Sequence, residues 1–209
     1  MRLRKKLTAA LFAIAAIPSA VYAAAISDTW YAVQYDYRDF FAATDHKNFQ
    51  VILAGDLFPG VDPATVARDL LPLMQAAKPR PALTFTYDKP AEPPRPDYRL
   101  YLVANPANDL GGDSICRGTT RFKPAQTGIF SVFAVYCRND MTMSQASVRT
   151  PATGPTDPRI AEAFRELFMV VFSDSPALRP NGSTRMPTTF WMSAISIGPL
   201  RTSNSGFQR

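Results

Sequence analysis

The sequence predicts an α+β fold, a mainly antiparallel sheet of about five to six strands with two helices on one face. Short apolar segments that alternate with polar residues outnumber helical segments, and most are separated by short turns. Two segments with helical spacing each follow an Asp-Pro pair. The resulting order, β-β-α-β-β-β-β-α, indicates a sheet-and-helix sandwich, and a ferredoxin-like arrangement with extra strands is the nearest familiar shape.

The strands are predicted from alternation and from runs of apolar residues. The nearly continuous apolar run 129–137 is typical of a central strand covered on both faces. We expect 141–148 to pair with it across the turn at 138–140. The remaining predicted strands are 28–41 (an extended segment), 49–55, 83–87 and 98–105, with a further short strand possible at 188–197.

Both helices are predicted from their start signals. Asp62 and Asp157 can each cap free backbone amides, and the proline that follows occupies the first helical position without losing a hydrogen bond. Pro72 lies inside the first helix, where it should kink or shorten it.

Residues 1–23 show the three consecutive regions that are typical of a cleavable secretory signal peptide. Four cations in MRLRKK precede the apolar run LTAALFAIAAI, and small residues lead to Ala23. The run is shorter than the roughly 20 residues of a transmembrane helix. We expect cleavage after Ala23, with Ala24 and Ala25 as alternative positions, no transmembrane segment in the mature chain, and a periplasmic or secreted protein.

Cleavage changes the charge and defines the domain. The formal charge of +6 falls to +2 because four cations and no acid precede residue 24. Such a balance is that of an ordinary solvated surface and argues against nucleic-acid binding. A hydrophobic fraction of 46% suffices for a core. Residues 24–174 are predicted to form a single domain, and 175–209 a partly ordered tail.

Cys116 and Cys137 are the two cysteines of the chain. An even number of cysteines in an exported protein predicts a disulfide. The bridge would close a loop of the unfolded chain and so stabilise the folded state by roughly 3 kcal/mol. Their spacing is not that of a C-x-x-C redox centre, and a thiolate metal site is not expected in an oxidising compartment.

The search for catalytic residues yields only weak candidates, and the sequence predicts no cofactor and no metal. His46 is the single histidine and lies in a loop pattern. Glu162 and Glu166 share one helix face beside arginines, which is more typical of a solvated face than of a catalytic pair. The turn from Asn105 to Asp113 offers oxygen ligands without the spacing of an EF-hand loop.

The most suggestive feature is an aromatic segment near the mature N-terminus, interleaved with charged residues. Rigid rings bury a large area at low entropic cost, so such a segment either packs on the core or forms a ligand surface. The core alternative is the commoner one. The candidate binding residues are Trp30, Tyr31, Tyr35, Tyr37 and Phe40.

Together these observations predict a non-enzymatic binding or accessory domain of the bacterial cell envelope, with an envelope protein or a polysaccharide as partner. Two alternatives remain open. One is an exported hydrolase whose carboxylates come together only in the fold. The other is a structural subunit of an envelope assembly, which an uncovered sheet edge would mark.

Overall fold

The computed structural model describes residues 24–91 and 96–176. The predicted signal peptide, the apolar segment 188–197 and nearly all of the predicted tail lie outside the described residues. Within the described ranges, no helix has the length and apolar character needed to span a membrane.

Six strands form one sheet in the order β1-β6-β5-β4-β2-β3. The pairs β1–β6, β6–β5 and β5–β4 are antiparallel, whereas β4–β2 and β2–β3 are parallel. The strands are β1 (Ala25–Tyr31), β2 (Asn48–Ala54), β3 (Thr84–Thr86), β4 (Tyr98–Ala104), β5 (Ile129–Arg138) and β6 (Met141–Pro151).

The sheet is therefore mixed, and the prediction of a mainly antiparallel sheet is wrong. A parallel pair needs a long crossover. The helix between β2 and β3 supplies one, and the connection from β3 to β4 carries the chain past β2 to its other side. The hairpin of β5 and β6 is confirmed, since Arg138 pairs with Met141 across the turn.

Four helices occur in the described residues, so the prediction of two is also wrong. They are α1 (Tyr37–Thr44), α2 (Pro63–Ala77), α3 (Gly112–Cys116) and α4 (Pro158–Val171). The two predicted helices are α2 and α4. The other two are short, and each lies in a segment whose composition favoured another structure: the aromatic segment 28–41 and the turn 105–114.

Capping explains where three of these helices begin. Asp62 accepts a hydrogen bond from the amide of Thr65 at 2.9 Å, and Asp157 accepts one from Arg159 at 3.0 Å. Asp36 does the same for α1, so the extended segment predicted over 28–41 ends before this helix. Pro72 does not shorten α2, which continues to Ala77.

The two faces of the sheet are covered differently. On one face, α4 packs over β5, β6 and β1, and α2 packs against α4 and β3; Leu70, Phe164 and Phe168 are fully buried there. On the other face, a smaller cluster joins Tyr101 and Val135 to Ile115 of α3. Because α3 has only five residues, it leaves part of this second face open.

The predicted disulfide is confirmed. The sulfur atoms of Cys116 and Cys137 lie 1.98 Å apart, with the Cα atoms separated by 5.6 Å. The bridge fastens the end of α3 to β5, so the short helix is held on the second face of the sheet.

Candidate functional site

Two adjoining clefts lie on the open part of the second sheet face. Their volumes are about 460 and 330 Å³, and both are lined by Gln145. We call the two together the Trp30 groove. Its first cleft is lined by Asp28, Pro106, Ala107, Asn108, Asp109, Leu110, Gly111, Lys123, Phe133, Gln145 and Ser147. Its second cleft is lined by Trp30, Gly112, Asp113, Thr142 and Gln145.

A β-bulge in β1 places Trp30 in this groove. Ser27 pairs with Ser147 and Trp30 pairs with Gln145, so β1 uses three steps where β6 uses two. The extra residue changes which residues face the core. Tyr31 consequently points into the core, whereas 37% of Trp30 remains exposed on the groove side.

Asp28 is one of the residues inside the bulge. Its φ angle is +53°, in the left-handed region that aspartate tolerates better than most residues. The hydroxyl of Ser27 donates a hydrogen bond to its Oδ2 atom at 3.0 Å. Within residues 24–91 and 96–176, its carboxylate forms no ion pair. Asp28 is exposed and lines the first cleft.

The wall formed by α3 is fixed closely against β6. A Cβ atom on Gly112 would lie 2.6 Å from both the Oε1 atom of Gln145 and the Oγ1 atom of Thr142, so only glycine allows this approach without displacement. The Oδ1 atom of Asp113 accepts a hydrogen bond from the amide of Thr142 at 3.1 Å. Together with the disulfide, these contacts preorganise the wall.

Charged side chains near residues 106–111, which form the other wall of the first cleft, contact one another or a neighbouring amide. Arg121 lies 2.9 Å from the Oδ2 atom of Asp109, and the Nζ atom of Lys123 donates to the Oδ1 atom of Asn108 at 3.0 Å. The groove therefore combines one exposed indole with amide, hydroxyl and carboxylate groups.

Of the five predicted binding residues, three have core positions. Phe40 is fully buried and stacks on Phe172 with ring centroids 4.4 Å apart. The hydroxyls of Tyr31 and Tyr35, both largely buried, donate to the backbone carbonyls of Val170 and Ser173. These contacts correspond to the core alternative that the sequence also allowed.

The other two are partly exposed. Trp30 faces the groove, whereas the hydroxyl of Tyr37 donates to the carbonyl of Arg80, a residue of a separate cleft. The structure thus leaves Trp30 as the single member of the five that lines the groove.

The catalytic candidates do not converge. The side chain of His46 is 82% exposed, and its Nε2 atom lies 3.9 Å from the Oδ1 atom of Asp45. Glu162 pairs with Arg165 on the exposed side of α4. Asn105 donates through its amide to the carbonyl of Asp56, a structural contact. The described ranges contain no group of three His, Cys, Asp or Glu side chains placed to hold a metal ion.

Several groove residues were missed at the sequence level. Gln145 and Ser147 lie at alternate positions of β6, so one polar face of that strand was visible in the sequence. Nothing in the sequence indicated that residues 106–113 lie against this face, because they come from a distant segment.

Comparison with known proteins identifies no relative in sequence. No family model matches the chain, and no curated protein matches it. One similar solved structure is the PelC dodecamer from Paraburkholderia phytofirmans, with 8% identity over 71% of this chain and 96% of that chain. The TM-score is 0.33, and a likeness this weak supports no argument about function.

Proposed function

We propose that this protein is an exported, non-enzymatic binding domain of the cell envelope that holds a polysaccharide in the Trp30 groove. The observation that carries the proposal is the position of Trp30, an exposed indole at one end of an open groove whose other walls are mostly polar.

The chemistry of the groove suits a sugar chain. An indole face stacks on the apolar face of a sugar ring, while neighbouring polar groups bind its hydroxyls. Gln145 offers both donors and acceptors, Ser147 offers a hydroxyl and Asp28 offers acceptors. Because two clefts adjoin through Gln145, the groove has room for consecutive units of a chain.

The two alternatives fit the groove less well. A carboxylate hydrolase needs two acids that flank the scissile bond. Of the three acids among the described residues that line the groove, Asp109 forms an ion pair with Arg121 and Asp113 accepts from the backbone amide of Thr142, which leaves Asp28 as the one acid with neither contact. A structural subunit would pair through a sheet edge, but β1 is interrupted by the bulge at Asp28 and the other edge strand, β3, has only three residues, and both features limit edge-to-edge pairing.

Binding of soluble polysaccharides by the mature chain tests the proposal. Calorimetry with dextran, xylan and alginate should detect binding of at least one polymer. The Trp30→Ala variant should weaken it roughly 30-fold, corresponding to about 2 kcal/mol for an aromatic anchor. The matched control is Phe41→Ala, which removes another exposed aromatic side chain, one that lines a different cleft.

Two results would contradict the proposal. One is the absence of binding to every polymer by the wild-type protein. The other is equal binding by wild type and Trp30→Ala. Capture of an envelope protein that depends on Trp30 would instead support a protein partner for the same groove.

A further inference from the structure

We infer that Asp28 contacts the sugar chain directly and determines specificity, by accepting hydrogen bonds from hydroxyls of the unit next to the one stacked on Trp30. This inference rests on the proposed function. Carboxylates accept hydrogen bonds at two oxygens and donate none when ionised, so Asp28 would select units that present free hydroxyls.

The first argument is position. Asp28 lines the first cleft and Trp30 lines the second. Residues two positions apart along a strand, as Asp28 and Trp30 are, lie at most about 7 Å apart. Adjacent units of one extended sugar chain can therefore reach the carboxylate and the indole together.

The second argument is the backbone. The left-handed conformation of Asp28, which His46, Asn105 and Asn139 share, is tolerated by aspartate better than by most residues but is less favourable for it than for glycine. Glycine would adopt it without penalty. The bulge alone therefore does not require a carboxylate at this position.

The third argument is the availability of the carboxylate. Ser27 donates to its Oδ2 atom, and no arginine or lysine within the described ranges forms an ion pair with it. Lys123, the cation that lines the first cleft, donates to Asn108, and Arg121 forms an ion pair with Asp109. An acceptor in an open cleft is thus left for a ligand.

A competing explanation is that Asp28 prevents another molecule from pairing with the edge of β1. Bulges and charges on edge strands prevent pairing between molecules. This explanation predicts that loss of the carboxylate changes the oligomeric state and leaves sugar binding unaltered.

The test uses Asp28→Gly and Asp28→Asn in the mature chain, with Asp88→Asn as control because Asp88 is also exposed but lies outside the groove. The probes are dextran, xylan and alginate, each native and O-methylated. We expect Asp28→Gly to weaken binding of the native polymer by about tenfold, the loss of a charged hydrogen bond. Asp28→Asn, whose amide oxygen still accepts, should lose less.

Methylation supplies a readout that a structural role would not affect. Wild type should prefer the native polymer to its O-methylated form, and Asp28→Gly should show a smaller preference, because Gln145 and Ser147 still face the hydroxyls. Chromatography should show unchanged size for both variants.

If Asp28→Gly binds with the affinity and the preference of the wild type, this inference is overturned and the Trp30 site is unaffected. If Asp28→Gly changes the oligomeric state and binds with unaltered affinity, Asp28 instead prevents pairing at the β1 edge. Absence of binding by the wild type, or binding that is indifferent to Trp30→Ala, would overturn the proposed function and this inference with it.

Discussion

Trp30 and Tyr31 are adjacent aromatic residues in opposite environments. Tyr31 is buried and donates to the carbonyl of Val170, whereas Trp30 faces the groove. Residue type does not distinguish them, since both rings are large and partly apolar. The register of β1 against β6 makes the difference, and a single extra residue sets that register. For this reason the aromatic segment was recognisable in the sequence, but the residue facing the groove was not.

Tyr136 offers a test of the core at the same scale. Its ring is buried among aromatic side chains, burial raises its pKa, and its hydroxyl has no hydrogen-bond partner in the part of the chain that the structure describes. Tyr35 is also buried, but its hydroxyl donates to Ser173 at 2.8 Å. We expect Tyr136→Phe to preserve or raise the free energy of unfolding, by up to about 1 kcal/mol, and Tyr35→Phe to lower it by about 1 kcal/mol.

Urea denaturation of the two variants and the wild type measures this difference. If Tyr136→Phe is less stable than Tyr35→Phe, the conclusion that the Tyr35 hydroxyl is hydrogen-bonded and the Tyr136 hydroxyl is not would be contradicted.

At the scale of elements, the residues around a helix start were sufficient to predict where two helices begin. Asp62 and Asp157 indicated α2 and α4, and both aspartates cap their helices as expected. The direction of strand pairing is not local. The residues of β2 do not indicate that it runs parallel to β3 and β4, because the direction of pairing depends on how the crossover connection packs. The short helix α1 was hidden by its aromatic content, although Asp36 had the residue type of a cap.

The cap of α4 gives a prediction with a pH dependence. Asp157 accepts from the side chain and amide of Arg159 and from the amide of Thr153, and these contacts hold the pKa of its carboxyl well below the usual 3.8. Because the folded-state pKa is lowered, the stabilisation is complete above the unfolded-state pKa and is lost as the pH falls through the folded-state pKa. Asp157→Ala should therefore cost about 1 kcal/mol at neutral pH.

Thermal or urea unfolding between about pH 7 and pH 2 measures the effect. The difference between wild type and Asp157→Ala should narrow as the solution becomes more acidic, with Asp88→Ala as a control for the loss of an exposed acid. A difference that stays constant across this range would contradict the role of the ionised cap.

At the scale of the whole molecule, the groove is built from distant parts of the chain. Residues 28–30, 106–113 and 142–147, together with Lys123 and Phe133, line it because β1 and β6 are neighbours and the disulfide holds α3 on the same sheet face. The α+β class and the disulfide were predictable from composition, spacing and periodicity. The groove was not, since it depends on long-range register and on the shortness of α3.

The most direct test of this account is a map of where a polysaccharide binds. Two-dimensional NMR of the ¹⁵N-labelled protein, titrated with the polymer it binds, reports each amide separately. We expect shifts of the Trp30 indole N–H, assigned with a Trp30→Phe variant, of the Gln145 side-chain amide and of backbone amides in 106–113. Shifts confined to Phe41 and residues 78–82, which line the separate cleft, or no shifts in any residue, would contradict the assignment of the Trp30 groove as the binding site.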